Sequence, residues 1–146
     1  MKRLITLSIC LFIFLGFTRA DDDKPISVEQ LPAKAQEFIK QYFSKKEVSY
    51  AKMEKDFWEK KYDVVFVNGE KVEFDKNGLW EEVNCKFSVV PEAIIPQPIR
   101  NLLAKQYPEA KPLKIERDSK GYEVKLNNQL EIQFNTNFQI VDIDNK

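Results

Sequence analysis

The sequence predicts an α+β fold, in which two tandem helix-plus-four-strand repeats share one antiparallel sheet of about eight strands with both helices on one face. Three observations predict it. The apolar residues switch from helical spacing to strict alternation, and do so twice along the chain. The order of elements is the same both times, the signature of a duplicated unit. The strand-to-strand connections are short and rich in turn residues, which suits antiparallel neighbours.

The repeat reads residue against residue. Leu31-Pro32, Phe38, Ile39 and Phe43 recur 64 residues on as Ile95-Pro96, Leu102, Leu103 and Tyr107. Tyr62-x-Val64-x-Phe66 and Val72-x-Phe74 recur 60 residues on as Tyr122-x-Val124-x-Leu126 and Ile132-x-Phe134. At the first strands Ala51 and Met53 match Leu113 and Ile115, an offset of 62. On this matching the second repeat is shorter twice, once after its helix and once in its first hairpin.

Residues 1–20 read as a signal peptide. Lys2 and Arg3 form a positive n-region, Leu4 to Phe17 is apolar without charge, and Thr18-Arg19-Ala20 offers small residues for cleavage. The apolar run is short for a membrane span, so an uncleaved anchor is the lesser alternative. Cys10 does not serve as a lipoprotein site, because Ile9 before it is not small. Residues 21–146 then form one domain, with its repeats at about 26–85 and 91–144.

Asp21 to Lys24 is a charged lead-in. Ser27-x-x-Gln30 has capping-box spacing and Pro32 suits a first helical turn. Ala33 to Ser44 follows with Ala35, Phe38, Ile39, Tyr42 and Phe43 on one face. The period then becomes 2. Ala51 and Met53 point inward on the first strand, and Asp56 to Lys60 turns the chain at a tip holding Phe57 and Trp58. Tyr62, Val64 and Phe66 form the next inward row. Asn68-Gly69 is a hairpin signal, Val72 and Phe74 make a third strand, and Asp75-Lys76-Asn77-Gly78 is a tight turn. Leu79 to Cys85 is the fourth strand. Lys86 to Pro91 links the repeats. Ile99, Leu102, Leu103 and Tyr107 line the second helix, which Pro108 ends, and three more alternating runs reach Asp144.

The 23 basic and 23 acidic residues balance, and loss of Lys2, Arg3 and Arg19 with the signal leaves 20 against 23, a net charge of −3. Such a mixed, mildly acidic chain carries no footprint for nucleic acid. Nothing after Ala20 is apolar enough to span a membrane. Cys85 is the lone cysteine beyond the signal, so the domain is held by packing and not by an internal disulfide. It reads as a small buried hydrophobe, with a regulatory or intermolecular thiol as the alternative.

Catalytic chemistry is poorly supplied. There is no histidine, which removes the commonest general base and zinc ligand. Cys85 lacks a partner to activate it. No nucleophile elbow, phosphate-cradling loop or dinucleotide fingerprint occurs, and glycine totals 4. The carboxylates fall mostly at outward strand positions or in turns. The sequence therefore predicts a protein that is not an enzyme, with an uncharacterised enzyme as a third reading. A weak calcium signal sits at Asp75 and Asn77, two oxygen ligands two apart before Gly78. Position twelve from Asp75 is Lys86 and not the closing Glu of an EF-hand. A turn that favours Asp, Asn and Gly explains the same residues, and no cofactor beyond weak Ca²⁺ is expected.

Taken together, the signal peptide, the Leu-Pro or Ile-Pro helix starts, Tyr-x-Val-x-Phe/Leu, Val/Ile-x-Phe and the Asp-x-Asn-Gly or Asn-x-Asn turns resemble the PepSY-like proteins of bacterial envelopes, whose fold is like that of the β-lactamase inhibitor protein. The resemblance covers about Ile26 to Asp144. It implies a periplasmic or secreted location and the tandem fold. In the inhibitor the open face of the sheet grips an enzyme, but no inhibitory motif is matched here.

The resulting expectation is an exported, non-catalytic binding protein, an inhibitor or modulator of a protein or peptide partner in the cell envelope. A calcium-responsive periplasmic module is the alternative. The expected contact surface is the open face of the first repeat. Tyr50, Val65 and Val67 are outward and apolar there, whereas the second repeat has Lys125 and Asn127 in place of Val65 and Val67. Trp80 joins them unless a bulge turns it inward, and Phe57 and Trp58 lie on the adjoining hairpin tip. Cover by a C-terminal tail or by the curl of the sheet is the competing explanation for these residues.

Overall fold

Nine strands lie side by side in chain order, each antiparallel to its neighbour. They are β1 (Lys24–Ile26), β2 (Val48–Lys55), β3 (Lys60–Phe66), β4 (Lys71–Phe74), β5 (Trp80–Asn84), β6 (Pro112–Asp118), β7 (Gly121–Leu126), β8 (Leu130–Asn135) and β9 (Ile140–Asn145). The structure is a computed structural model that describes residues 23–145. The signal peptide expected over residues 1–20, with Cys10, lies outside the described residues. Helices α1 (Ala33–Tyr42) and α2 (Gln97–Gln106) precede β2 and β6. Each follows a short 3-10 turn and a proline at its N-cap, Pro32 or Pro96. The expected capping box closes the first of these turns, where the Ser27 amide donates to Gln30 Oε1 at 2.8 Å.

The alternation of the strands sends one row of side chains to the helices. Val64, Phe66, Val72, Phe74, Val83, Ile115, Val124, Leu126, Ile132 and Phe134 are buried in one cluster with Ala35 and Ile39 of α1 and Ile99 and Leu103 of α2. Phe43 stacks on Phe66 with ring centroids 5.0 Å apart, and Phe38 meets Phe74 edge-on at 5.6 Å. Burying such a side chain contributes about 1.5–3 kcal/mol. This apolar layer holds the helices to one face and leaves the other face of the sheet open.

The sheet has one strand more than the expected eight. β1 comes from the charged lead-in and the residues after it, with Lys24 opposite Met53 and Ile26 opposite Ala51. Three residues are too few to show a period, and Pro25 argues against a strand except at an edge, which is where β1 lies.

The matching of the first strands also changes. β2 carries a bulge between Val48 and Tyr50, and β6 carries one between Pro112 and Lys114. Immediately past the bulge Ala51 faces Val64, as Ile115 faces Val124. Ala51 therefore corresponds to Ile115 and not to Leu113, because Leu113 is the residue that the bulge leaves over. All of the length difference lies in one place, at the β2–β3 tip. There Lys55 is still paired with Lys60, whereas the β6–β7 hairpin closes at Asp118 and Gly121.

Candidate functional site

Register lines up the open face into rows. One row runs Lys52, Asp63, Glu73, Glu82, Glu116, Glu123, Gln133, Asp142 across β2 to β9. The next runs Tyr50, Val65, Lys71, Asn84, Lys114, Lys125, Glu131, Asp144. Like charges directly opposite one another are destabilising, so lysines from the second row lean into the first. Lys71 reaches Asp63 at 3.4 Å and also pairs with Glu73. Lys114 reaches Glu82 at 3.3 Å and pairs with Glu116. Lys125 binds Glu131 at 3.0 Å. Lys52 pairs with Glu54, bonds Asp23 at 3.0 Å and comes within 3.5 Å of Asp63.

The stems of these lysines bury carboxylates that alternation alone places in water. Asp63 is 3 % exposed, and burial lifts its carboxyl above the usual carboxylate range despite Lys71 and Lys52. Burial raises Glu82 as well, against the pull of Lys114. Glu73, Glu82, Glu116 and Glu123 also line a groove of about 530 Å³ that crosses both halves of this face. No single motif announces this row. It depends on the pairing of β5 with β6, which are separated in sequence by the linker and a helix.

The expected contact residues fall into three groups. Tyr50 and Val65 sit directly opposite each other on the open face, and Val67 follows just past the end of β3. Tyr50 is 52 % and Val67 63 % exposed, while Val65 is half-buried. Phe57 and Trp58 are each 95 % exposed at the β2–β3 tip. They do not adjoin the first group, because β3 runs between Trp58 and Val65, about 20 Å at the rise of an extended strand. Trp80 is not on the open face. A bulge at Glu81 of β5 puts it opposite the fully buried Phe74. There its ring lies 6.4 Å from Phe38 of α1 and under Arg117, whose guanidinium carbon is 4.2 Å from the ring centroid.

Asp75 and Asn77 belong to the β4–β5 turn. Asp75 Oδ1 accepts from the amides of Asn77 and Leu79, both at 2.8 Å. Asn135 does the same in the β8–β9 turn, accepting from Asn137 and Gln139 at 3.0 Å each. An amide oxygen thus performs the local task of the carboxylate. Among the described residues, no group of three or more Cys, Asp or Glu is placed to hold a metal ion, and no helix is long and apolar enough to cross a membrane.

Sequence reasoning missed a buried cluster at the opposite end of the sheet from the β2–β3 tip. Glu70 is 2 % exposed, and its Oε1 takes hydrogen bonds from Lys46 Nζ at 3.1 Å and from the Ser88 hydroxyl. Its Oε2 is buried without a protein partner. Cys85 lies in the same environment, where burial and the charge of Glu70 push its thiol up to about 12. A thiol held protonated in this way is not a nucleophile at neutral pH. Alternation hid Glu70, since it sits in a turn where polar residues are ordinary. Phe87, 95 % exposed, and Val89, 47 % exposed, lie in the following linker and were not among the expected contacts.

The comparisons with known proteins agree with this architecture. A family model described as "Putative beta-lactamase-inhibitor-like, PepSY-like" matches residues 60–142. A solved structure from Bacteroides vulgatus, described as a "putative periplasmic protein", is 58% identical with a TM-score of 0.84, covering 86% of this chain and 99% of that one. One from Bacteroides thetaiotaomicron, described as a "putative calcium-regulated periplasmic protein", is 60% identical with a TM-score of 0.84 and the same coverage, 86% and 99%. A second Bacteroides vulgatus protein, described as a "putative periplasmic protein of unknown function", is 38% identical with a TM-score of 0.80, covering 84% and 98%. No curated protein matches the chain.

Proposed function

This chain is a periplasmic member of the PepSY-like family, and from that premise we propose that it is a non-catalytic binding protein that restrains a protein or peptide partner through the open face of its sheet. The observation that carries the reading is an asymmetry. Tyr50, Val65 and Val67 present apolar surface at positions where the second half has Lys114, Lys125 and Asn127. Aromatic and aliphatic side chains kept on an otherwise charged face suit a contact surface. We read the two halves as copies of one helix-plus-four-strand unit. The bulges at matching places in β2 and β6, and in β5 and β9, support that reading. Cleavage of residues 1–20 belongs to it as well, and the intact mass of the exported protein tests that step.

The decisive measurement uses the partner recovered by crosslinking in envelope extract. A Val65→Lys, Val67→Asn double variant copies the second half's open face. It folds with an unchanged melting curve and binds at least about tenfold more weakly, about 1.4 kcal/mol. Wild-type affinity in this variant places the surface elsewhere.

A second reading, a calcium-responsive module, is supported by the description of the 60%-identical Bacteroides thetaiotaomicron protein. It predicts Ca²⁺ binding in calorimetry that an Asp75→Ala variant loses. Binding retained in that variant moves the ion away from Asp75, and no heat in either protein removes the reading.

A further inference from the structure

The β2–β3 hairpin outreaches its counterpart, and the extra length has a particular composition. Where β6 and β7 are joined by Ser119-Lys120, β2 and β3 continue through Lys55, Asp56, Phe57, Trp58, Glu59 and Lys60. The two aromatic residues are consecutive at the tip, each 95 % exposed. Directly behind them Lys55 faces Lys60 across the hairpin. Neither lysine forms an ion pair with a carboxylate among the described residues, and Lys60 Nζ instead lies 5.3 Å from the centroid of the Tyr62 ring. Two acids share the tip without pairing either lysine: Asp56 Oδ1 accepts from the Phe57 amide at 2.7 Å and Glu59 lies 3.6 Å from Lys61, while Glu54 pairs with Lys52.

A like-charged cross-strand pair weakens a hairpin, and two bare aromatics contribute nothing to this fold. Both features fit an external surface that is apolar at its depth and anionic at its rim. Trp and Phe settle at the boundary of a bilayer, and lysines set just behind them reach phosphate groups while their stems lie along the apolar layer. A periplasmic protein has a membrane on either side of it. We infer that the β2–β3 tip is an interfacial anchor that docks this protein on an anionic lipid surface, with Phe57 and Trp58 inserted and Lys55 and Lys60 on the headgroups. The contact is about 20 Å from Tyr50 and Val65 at strand rise, so it does not depend on the partner-binding reading.

The test uses the protein as exported into the periplasm and two kinds of vesicle, phosphatidylglycerol and phosphatidylcholine. The protein co-sediments with phosphatidylglycerol vesicles and not with phosphatidylcholine. Phe57→Ser, Trp58→Ser lowers the bound fraction at least tenfold, and Lys55→Gln, Lys60→Gln lowers it to the phosphatidylcholine level. In a Trp80→Phe background Trp58 is the one tryptophan of the chain. Its emission moves to shorter wavelength on the vesicles and is quenched by brominated phosphatidylglycerol. The co-sedimentation series keeps Trp80 and stands even if Trp80→Phe does not fold. Absence of binding to phosphatidylglycerol overturns the inference, as does binding that leaves Trp58 unquenched. A tip that is buried by a protein partner while vesicles are ignored overturns it equally.

Discussion

The two halves of the sheet make the same turns with different residues. In the first half, Gly69 and Gly78 take positive φ, 85° and 79°. In the second, Gln129 and Phe138 take the same conformation at 72° and 60°. The hydrogen bonds around them correspond: the Gly69 amide donates to the Phe66 carbonyl at 2.9 Å, as that of Gln129 does to Leu126 at 3.2 Å. Asx bonding and hairpin closure therefore set the turn, and glycine is only its least strained occupant. What surrounds each turn decides which residue stays. A Cβ on Gly78 would come within 2.8 Å of Pro32 Cβ and 2.9 Å of the Ala35 amide, so α1 leaves no room for one. At the matching position Phe138 stacks on Tyr122 with centroids 5.6 Å apart, which offsets the strain of its backbone.

The largest contrast between the halves is electrostatic. The turn after α1 holds Lys46 and the turn after β3 holds Glu70, bonded at 3.1 Å. The corresponding positions hold Ala110 and Leu130, both packed against the core. Removing only Lys46 leaves a buried carboxylate with one cation fewer, and the destabilisation expected of Lys46→Ala in urea unfolding is about 1–3 kcal/mol. Lys46→Ala, Glu70→Leu copies the second half and returns to within about 1 kcal/mol of wild type, because a buried ion pair is often replaceable by apolar groups. A double variant as unstable as the single one would show that Glu70 is needed for Ser88 and the linker, independent of Lys46.

The same contrast explains how much could be seen in the sequence. Both helices, the alternation of β3, β4, β7 and β8, and the hairpin turns were legible, since each follows from a local period or a turn residue. Parity across a bulge was not. Ser49 and Leu113 each add one residue to a strand, and nothing in the alternation tells which residue is extra. That is why the alternation matches Ala51 with Leu113, and a third extra residue, Glu81 of β5, is why it leaves Trp80 open to either face. Tyr50 and Val65 come out on the open face as expected, but distance along β3 separates them from Phe57 and Trp58. The row Glu73, Glu82, Glu116, Glu123 required the pairing of β5 with β6, which no local signal encodes.

Asp63 and its counterpart Glu123 sharpen the comparison through pH. Asp63 has Lys52 and Lys71 on its flanks, whereas Glu123 lies between Glu116 and Gln133 in register. Burial outweighs the lysines, so the folded-state carboxyl of Asp63 titrates above its ordinary 3.8. A raised pKa means that the native state holds the proton more tightly than the unfolded chain. Its contribution is complete below 3.8 and is lost as pH rises through the folded-state value. Relative to Asp63→Asn, wild type therefore declines in melting temperature between acidic and neutral pH. A rise over the same window would show that Lys52 and Lys71 dominate and that burial does not.

The smallest effect lies in the exchange of turn residues at Gly69 and Gln129. A residue with a side chain is strained at positive φ by roughly 1–2 kcal/mol. Glycine gives back part of that gain by freeing the unfolded chain, roughly 0.4–1 kcal/mol. Gln129→Gly should then stabilise by about 0.5 kcal/mol, and Gly69→Gln should destabilise by at least as much. Space does not oppose the second change, because the nearest heavy atoms to a Cβ at Gly69 belong to the Lys86 side chain at 3.5 Å. Lys86 itself has φ 48° and opens the linker between the halves, so any shift of its side chain by the longer Gln side chain is felt in the linker. Chemical denaturation of the two single variants and the exchanged double variant separates these contributions. Equal and opposite shifts make the turns interchangeable, and a Gly69→Gln loss well beyond the Gln129→Gly gain assigns the difference to Lys86 and the linker.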